Sequence, residues 1–312
     1  GVGGPARRGR AHHGVARLTS ARAGGRTLAP MSYEGIPGLV VEVVDGIATV
    51  TIDHPPINLF TIELFVSMAG LAERLAVDPD VRVVVLRSAN PDFFIAHFDV
   101  AAILTFPTDA PAATELNAYH RMCEAFRTMP KATIAVVEGR VGGGGSELAL
   151  SCDMRFAVLP HGDHPGAVFN QPEAALGIIP GGSGTVRLSR LVGRSRALEV
   201  ILGCDDVDAA TAAEWGWVNR AVPHDELWPF VDRLAPRIAS FPAHAVAAAK
   251  ACVVRSELDV EPHLLAEGNA FNGTLGGPGT REAMEHFLAL GGQTAAGELR
   301  LGELAGELSS GG

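Results

Sequence analysis

Apolar positions along this chain follow two rhythms. From Leu39 to Ile52 they form two β-type runs, Val40–Val44 and Ala48–Ile52, separated by Asp45-Gly46. That dipeptide is a strong hairpin signal, because both residues tolerate positive φ. His54-Pro55-Pro56 stops the second strand, since proline cannot donate to a ladder. From Ile62 to Val77 the rhythm changes. Leu64, Phe65, Met68, Leu71 and Leu75 recur at helical spacing. Arg82 to Leu86 is a short β-branched run of the kind buried in a parallel sheet. After Phe93–Asp99 the pattern predicts a helix from about Asp99 and an amphipathic helix over Ala113–Met129, ended by Pro130.

A second round follows. It comprises a strand at Ala132–Val137, a glycine-rich loop, a helix-compatible segment from Ser146 to Arg155 and a strand at Met154–Val158. His161-Gly162-Asp163-His164-Pro165-Gly166 reads as a surface turn. Beyond it come Val168–Glu173, a loop over Gly177–Gly184, and helices near Val186–Leu191 and Ala197–Leu202. From Asp225 to Leu290 the pattern is almost wholly helical. Alternating short strands and helices that give way to helices alone predict an α/β core with a helical C-terminal region. The implied layout is a disordered Arg/Gly/Ala-rich segment over 1–30, a core over 31–224, a helical region over 225–292 and a fraying tail over 293–312, in which Gly-Glu-Leu occurs three times.

Composition narrows the function classes. The 312 residues are 47% hydrophobic and 19% charged, which suits a well-buried globular fold. Net charge is −10, but six arginines and no acid lie in the first thirty residues, so removing those six positive charges leaves −16. A body that acidic speaks against nucleic acid as a partner. The arginine-rich start resembles a transit peptide, yet without an apolar face it reads better as a segment preceding a start at Met31. Cys123, Cys152, Cys204 and Cys252 are far apart in apolar contexts, as expected of buried thiols in a reducing, cytoplasmic setting rather than of a disulfide or zinc framework. No apolar run reaches the length of a membrane span.

The candidate chemistry centres on Val141 to Leu150, where Gly142–Gly145 precede Ser146-Glu147. A helix starting at Ser146 would direct unpaired N–H groups at the loop and favour developing negative charge there. Glu147 would then stand in the first turn as an acid/base group. The same pattern also suits a tight turn with no chemistry. It matches neither GxGxxG nor GxxxxGK[ST], so a nucleotide loop is not supported. His161 and His164 lack a third metal anchor, and Ser146 and Ser183 complete no GxSxG.

Several segments in order resemble the crotonase, or enoyl-CoA hydratase/isomerase, superfamily over roughly residues 36–290. They are Asp53–Asn58, Ala96-His97-Phe98-Asp99, Glu138 through Asp153, Phe169–Glu173, Pro180–Thr185, Ala213–Val222 and Thr280–Met284. The resemblance implies a spiral of ββα turns with C-terminal helices that mediate a homotrimer or hexamer. It also implies an acyl-CoA thioester substrate and a place in fatty acid metabolism. No metal or redox cofactor is implied, coenzyme A entering as part of the substrate. Carried over by position, the amides of Phe98 and Gly144 form an oxyanion hole. Glu147 and Glu173 form the acid/base pair of a hydratase, with Ala96, His97, Gly143, Pro172 and Gly181 lining the substrate site. The chain departs from the family pattern at His97, where glycine is usual, at Phe98, where a small residue is common, and at Ala101, where a lysine associated with CoA is frequent. Those departures leave an isomerase, an acyl-CoA hydrolase or a non-catalytic acyl-CoA-binding subunit as alternatives.

Overall fold

A computed structural model describes residues 31–308, with Gly1 and Gly3. The expectation for residues 1–30 therefore falls outside the described residues. Strand β1 (Leu39–Val44) and strand β2 (Ile47–Ile52) pair antiparallel around Asp45 and Gly46, both at positive φ. Ala48, Val50 and Ile52 point inward, as alternation requires. Strands β3 (Val83–Ser88), β5 (Ala132–Val137), β7 (Met154–Val158) and β10 (Arg220–Val222) extend this into a six-stranded sheet in the order β1-β2-β3-β5-β7-β10. Every pairing after the hairpin is parallel. The middle strands are mostly apolar and buried along most of their length because both faces are covered. Val84, Leu86, Ala135 and Val137 join the main core. Val83, Val85, Ile134 and Val136 meet Leu227, Val231 and Ala235 of the helix His224–Ala239.

A smaller sheet carries the chemistry. Strands β4 (Phe93–Ile95), β6 (Arg140–Gly142) and β8 (Val168–Asn170) run parallel, and β9 (Val207–Asp208) closes the edge antiparallel to β8. The segments leaving the carboxyl ends of β4, β6 and β8 are Ala96–Phe98, the glycine run and Gln171–Glu173. In sheets of this kind, ligands gather at such strand ends.

The structure revises several boundaries. The glycine run is not a loop, because Gly142 is the extended cap of a helix spanning Gly143–Leu150. Gly143 turns at φ +44°, and a Cβ on Gly145 would lie 2.6 Å from the Cβ of Ile95, so this turn can pack on β4 only without side chains. That helix ends at Leu150, and Arg155 belongs to β7. The helix expected from Ala113 spans Ala118–Thr128, because the Asn117 side chain accepts the N–H of His120 and caps it there. The tail expected to fray from residue 293 instead folds as helices Ala295–Glu298 and Leu301–Leu308. Its Leu301, Leu304 and Leu308 form one apolar face that packs on Met284 and Phe287. Each fully buried leucine contributes about 2 kcal/mol, enough to hold so short a segment. Past Val222 every named element of the described residues is a helix. No described helix is long and apolar enough to cross a membrane.

Candidate active site

The end of β4 sets the first wall. Phe60 and Phe98 form an isolated parallel bridge in which the Phe60 N–H donates to the His97 carbonyl (2.9 Å) and the Asp99 N–H donates to the Phe60 carbonyl (3.2 Å). The peptide between His97 and Phe98 is planar and trans, so its N–H points opposite to the carbonyl that Phe60 holds. The Phe98 N–H thus faces away from the bridge, and among the described residues it has no acceptor. Gly144 supplies the facing wall. It is the second residue of its helix, where an N–H has no carbonyl one turn back to bond. A Cβ on Gly144 would lie 3.2 Å from the Phe98 Cβ, so the two amides are close neighbours.

Tyr119 pins this arrangement. Its hydroxyl donates to the Gly144 carbonyl at 2.6 Å, and its ring packs on Phe60, Phe65 and Phe98 at centroid distances of 5.5, 5.6 and 5.8 Å. The amphipathic pattern marked the Tyr119 helix but gave no sign that this ring would reach the glycine run.

A cavity of about 260 Å³ lies against these groups, lined by Phe98, Gly144, Glu147, Glu173, Gly181 and Tyr119 among others. Two of its liners are buried carboxylates. Glu147 lies in the second turn of its helix rather than the first, because that helix begins three residues earlier than expected. Its Oε1 accepts the N–H groups of Gly182 and Gly184, both at 2.8 Å. Burial pushes its carboxyl well above the usual range, the charges of Glu173 and Glu267 push further, and the two amide bonds oppose them. Glu173 opens the 3-10 helix Glu173–Leu176, and its Oε2 is buried without a hydrogen-bond partner. Burial raises it to about 7, against the pull of its own backbone amide and of His97. Two such groups share protons, so near neutrality the pair has room for one proton and one charge.

A third buried carboxylate, Glu267 of the helix Val260–Leu275, completes the surroundings. Its Oε1 accepts the N–H groups of Thr185 (2.9 Å) and Val186 (3.2 Å) and the Thr185 hydroxyl, and its Oε2 meets His120 Nε2 at 2.9 Å. Glu147 and Glu267 therefore divide the first amides of the helix Gly184–Val192 between them. Nothing in the sequence around Glu267 distinguishes it from an exposed helical glutamate.

The remaining expected site residues lie behind the cavity wall. Ala96 and Pro172 are buried in the strand-end turns, and Gly143 separates Glu173 from His97. The expectation that the His97 side chain lines the substrate site is not met. Its ring is buried against Phe287, with Nε2 at 2.9 Å from Glu298 Oε1 and Nδ1 at 2.7 Å from the Phe98 carbonyl oxygen. Ala101 is exposed in the short helix Val100–Ile103. Among the described residues no three metal-binding side chains converge. His161 and His164 form a two-residue bridge, and the His161 ring stacks on those of His164 and His224.

The family model for enoyl-CoA hydratase/isomerase matches residues 42–289. A probable enoyl-CoA hydratase of Mycobacterium leprae is 34% identical over 83% of this chain and 96% of its own length. A crotonyl-CoA hydratase of Syntrophomonas wolfei is 31% identical over 83% and 96%. Among solved structures, a candidate enoyl-CoA hydratase from Streptomyces avermitilis superposes with a TM-score of 0.77 at 38% identity, covering 88% of this chain and 98% of that one. An enoyl-CoA hydratase from Mycobacterium avium subsp. paratuberculosis gives 0.70 at 28% identity, over 83% and 100%. With its family match spanning most of the core, its relatives aligned nearly end to end and the same fold in these neighbours, the chain belongs to the enoyl-CoA hydratase/isomerase family.

Proposed function

We propose that this protein adds water across the 2,3 double bond of an enoyl-CoA thioester. The observation that carries the reading is the convergence of two free amides and two buried carboxylates on one cavity. In this mechanism the thioester oxygen accepts the N–H groups of Phe98 and Gly144, which hold the negative charge that grows there as the enolate forms. Each fixed donor lowers such a barrier by about 3 kcal/mol. Glu147 takes a proton from water as the oxygen attacks C3, and Glu173 delivers a proton to C2. Water is thereby added in full, and a proton passing from Glu147 to Glu173 or through solvent resets the pair. The reactive form carries its charge on Glu147; burial and the neighbouring carboxylates favour the proton there, so this is the minor form of the pair, stabilised by the Gly182 and Gly184 amides that Glu147 Oε1 accepts. The reaction is redox-neutral.

The test is turnover of purified protein with 2-enoyl-CoA thioesters of increasing acyl length, followed by loss of the conjugated-enoyl absorbance and by product mass. A product heavier by one water supports hydration. Unchanged mass indicates double-bond migration, free CoA indicates hydrolysis, and tight thioester binding with no product from any acyl length indicates a binding subunit; each of these rejects the proposal. Glu147→Gln and Glu173→Gln should each lower kcat by about 10²–10⁴-fold. Undiminished hydration in both variants refutes the dyad. Self-association as a trimer or hexamer fits the helix Ala243–Arg255, which buries no residue within one chain, and light scattering reads the subunit number.

A further inference from the structure

His97 is a buried ionisable group at the site that hydration, as written above, does not use. Both of its ring nitrogens face oxygens that only accept. Nδ1 lies 2.7 Å from the Phe98 carbonyl, and Nε2 lies 2.9 Å from Glu298 Oε1, which also takes the Gln293 N–H at 2.7 Å. A neutral imidazole has one donor and could satisfy only one of these partners. Beside an ionised Glu298, whose carboxyl the His97 charge holds below the usual range, only an imidazolium satisfies both partners. Burial alone would discharge His97, yet the Glu298 charge and hydrogen bond outweigh it and hold the ring up to about 9. Burial likewise opposes the Glu298 charge, and His97 more than offsets it.

The location gives this pair its consequence. His97 immediately precedes Phe98, the first oxyanion residue. A Cβ built on Gly143 would lie 3.1 Å from the His97 Cβ and 2.8 Å from Glu173 Oε1, so the imidazolium and the acid flank one glycine. The segment that supplies Glu298 lies beyond residue 289, where the family match ends. It also touches both oxyanion walls. The Gln293 side chain donates to Asp99 Oδ1 at 2.8 Å, the Leu299 carbonyl accepts from Arg140 at 2.9 Å, and Leu301 packs against Gly142.

We infer that His97, clamped as a cation between the Phe98 carbonyl and Glu298 of the C-terminal segment, is a positioning residue that steadies the first oxyanion amide and sets the proton affinity of Glu173. The inference deepens the hydration reading and rests on it. The charged groups around His97 are Glu298, Glu173, Asp99, which Gln293 engages, and Arg140, which acts through Glu298. Around Glu173 they are His97, Glu147 and Glu267. Burial and the Glu267 charge hold the proton on Glu173, and its own backbone amide and the His97 charge pull the other way. An acid works best when its proton affinity matches the working pH.

The test is Glu298→Gln, which keeps the shape and removes the charge, with two readouts. Isotope-labelled histidine NMR should show the His97 ring doubly protonated at pH 7.5 in the wild type and neutral in the variant. The pH profile of kcat should lose activity as Glu173 ionises in the wild type, and in the variant that limb should move up by roughly half a pH unit or more. On the acid plateau of the profile, where Glu173 keeps its proton in both proteins, kcat should fall with KM little changed. A kcat that falls with the limb unmoved would mean a structural role only and overturns the inference. So does a neutral His97 in the wild type at pH 7.5. If the wild type hydrates no thioester, the hydration reading fails separately, and the NMR titration still decides the state of His97.

Discussion

Glu173→Gln should make the folded protein more stable at pH 8 while abolishing most of its hydration activity. Glu173 is held at about 7 instead of the ordinary 4.5 because it is buried. A carboxyl raised on folding penalises the fold as pH rises. At pH 4 both folded and unfolded chains keep the proton, and nothing is lost. Between 4.5 and about 7 the unfolded chain ionises first, so each step up in pH favours unfolding. Each pH unit of that interval is worth about 1.4 kcal/mol, so the full cost by pH 8 is about 3 kcal/mol. Roughly 1 kcal/mol of it is already present at pH 5. Glutamine never ionises, and the Oε2 of Glu173 has no partner to lose.

The stability gain of the variant over wild type should therefore be larger at pH 8 than at pH 5 by roughly 2–3 kcal/mol. For a chain of this size that is about 5–10 °C in Tm. Urea titrations of both proteins at both pH values provide the number. Packing differences between Glu and Gln cancel in the comparison, because they are present at both pH values. The removed charge also stops pushing up Glu147, which acts in the same direction. An equal stability difference at pH 5 and pH 8 would refute the argument that burial holds the Glu173 proton.

Three further outcomes are expected. Gly144→Ala would place a methyl 2.9 Å from the Tyr119 hydroxyl and 3.2 Å from the Phe98 Cβ; displacing one oxyanion donor should cost about 10²–10³-fold in kcat, read by steady-state kinetics with folding checked by circular dichroism. Glu267→Ala leaves the amides of Thr185 and Val186 and the ring of His120 without their acceptor; at about 1–3 kcal/mol for each buried group stranded, thermal unfolding should show a loss of several kcal/mol, much less in Glu267→Gln. His97 is raised from 6.5 to about 9, so its contribution is fully present below pH 6.5 and is lost as pH rises through 9; between pH 6 and 10 the wild type should lose about 3 kcal/mol that His97→Gln does not, measured by chemical denaturation.

Five of the six strands of the large sheet were legible in the sequence because their signals are local; the three-residue β10 was not. Asp45-Gly46 dictates a hairpin, and Ala132–Val137 is mostly apolar and buried at every position because both faces are covered. The small sheet was not, since β4, β6 and β8 are three residues each, too short for any period to show. Without β6, the helix start moved to Ser146 and Glu147 into the wrong turn. Glu147 and Glu173 were singled out by their place in ordered motifs, whereas Tyr119, Glu267 and Glu298 reach the site from distant helices and carry no local mark. The tail misled for a related reason. Gly-Glu-Leu repeats look like solvent-exposed filler until Met284 and Phe287 supply a surface for their leucines.

The small sheet can also be viewed as a ruler. Neighbouring strands stand about 4.8 Å apart, and β4, β6 and β8 each end in one part of the proposed machinery: first amide, second amide, acid. The spacing of those parts is therefore fixed by backbone ladders, not by the side chains that fill the cavity. Side chains at the strand ends can change without moving the ruler's marks. A single residue inserted within Arg140–Gly142 would be different in kind, because a one-residue slip turns every following side chain to the opposite face. This site should tolerate substitution far better than insertion.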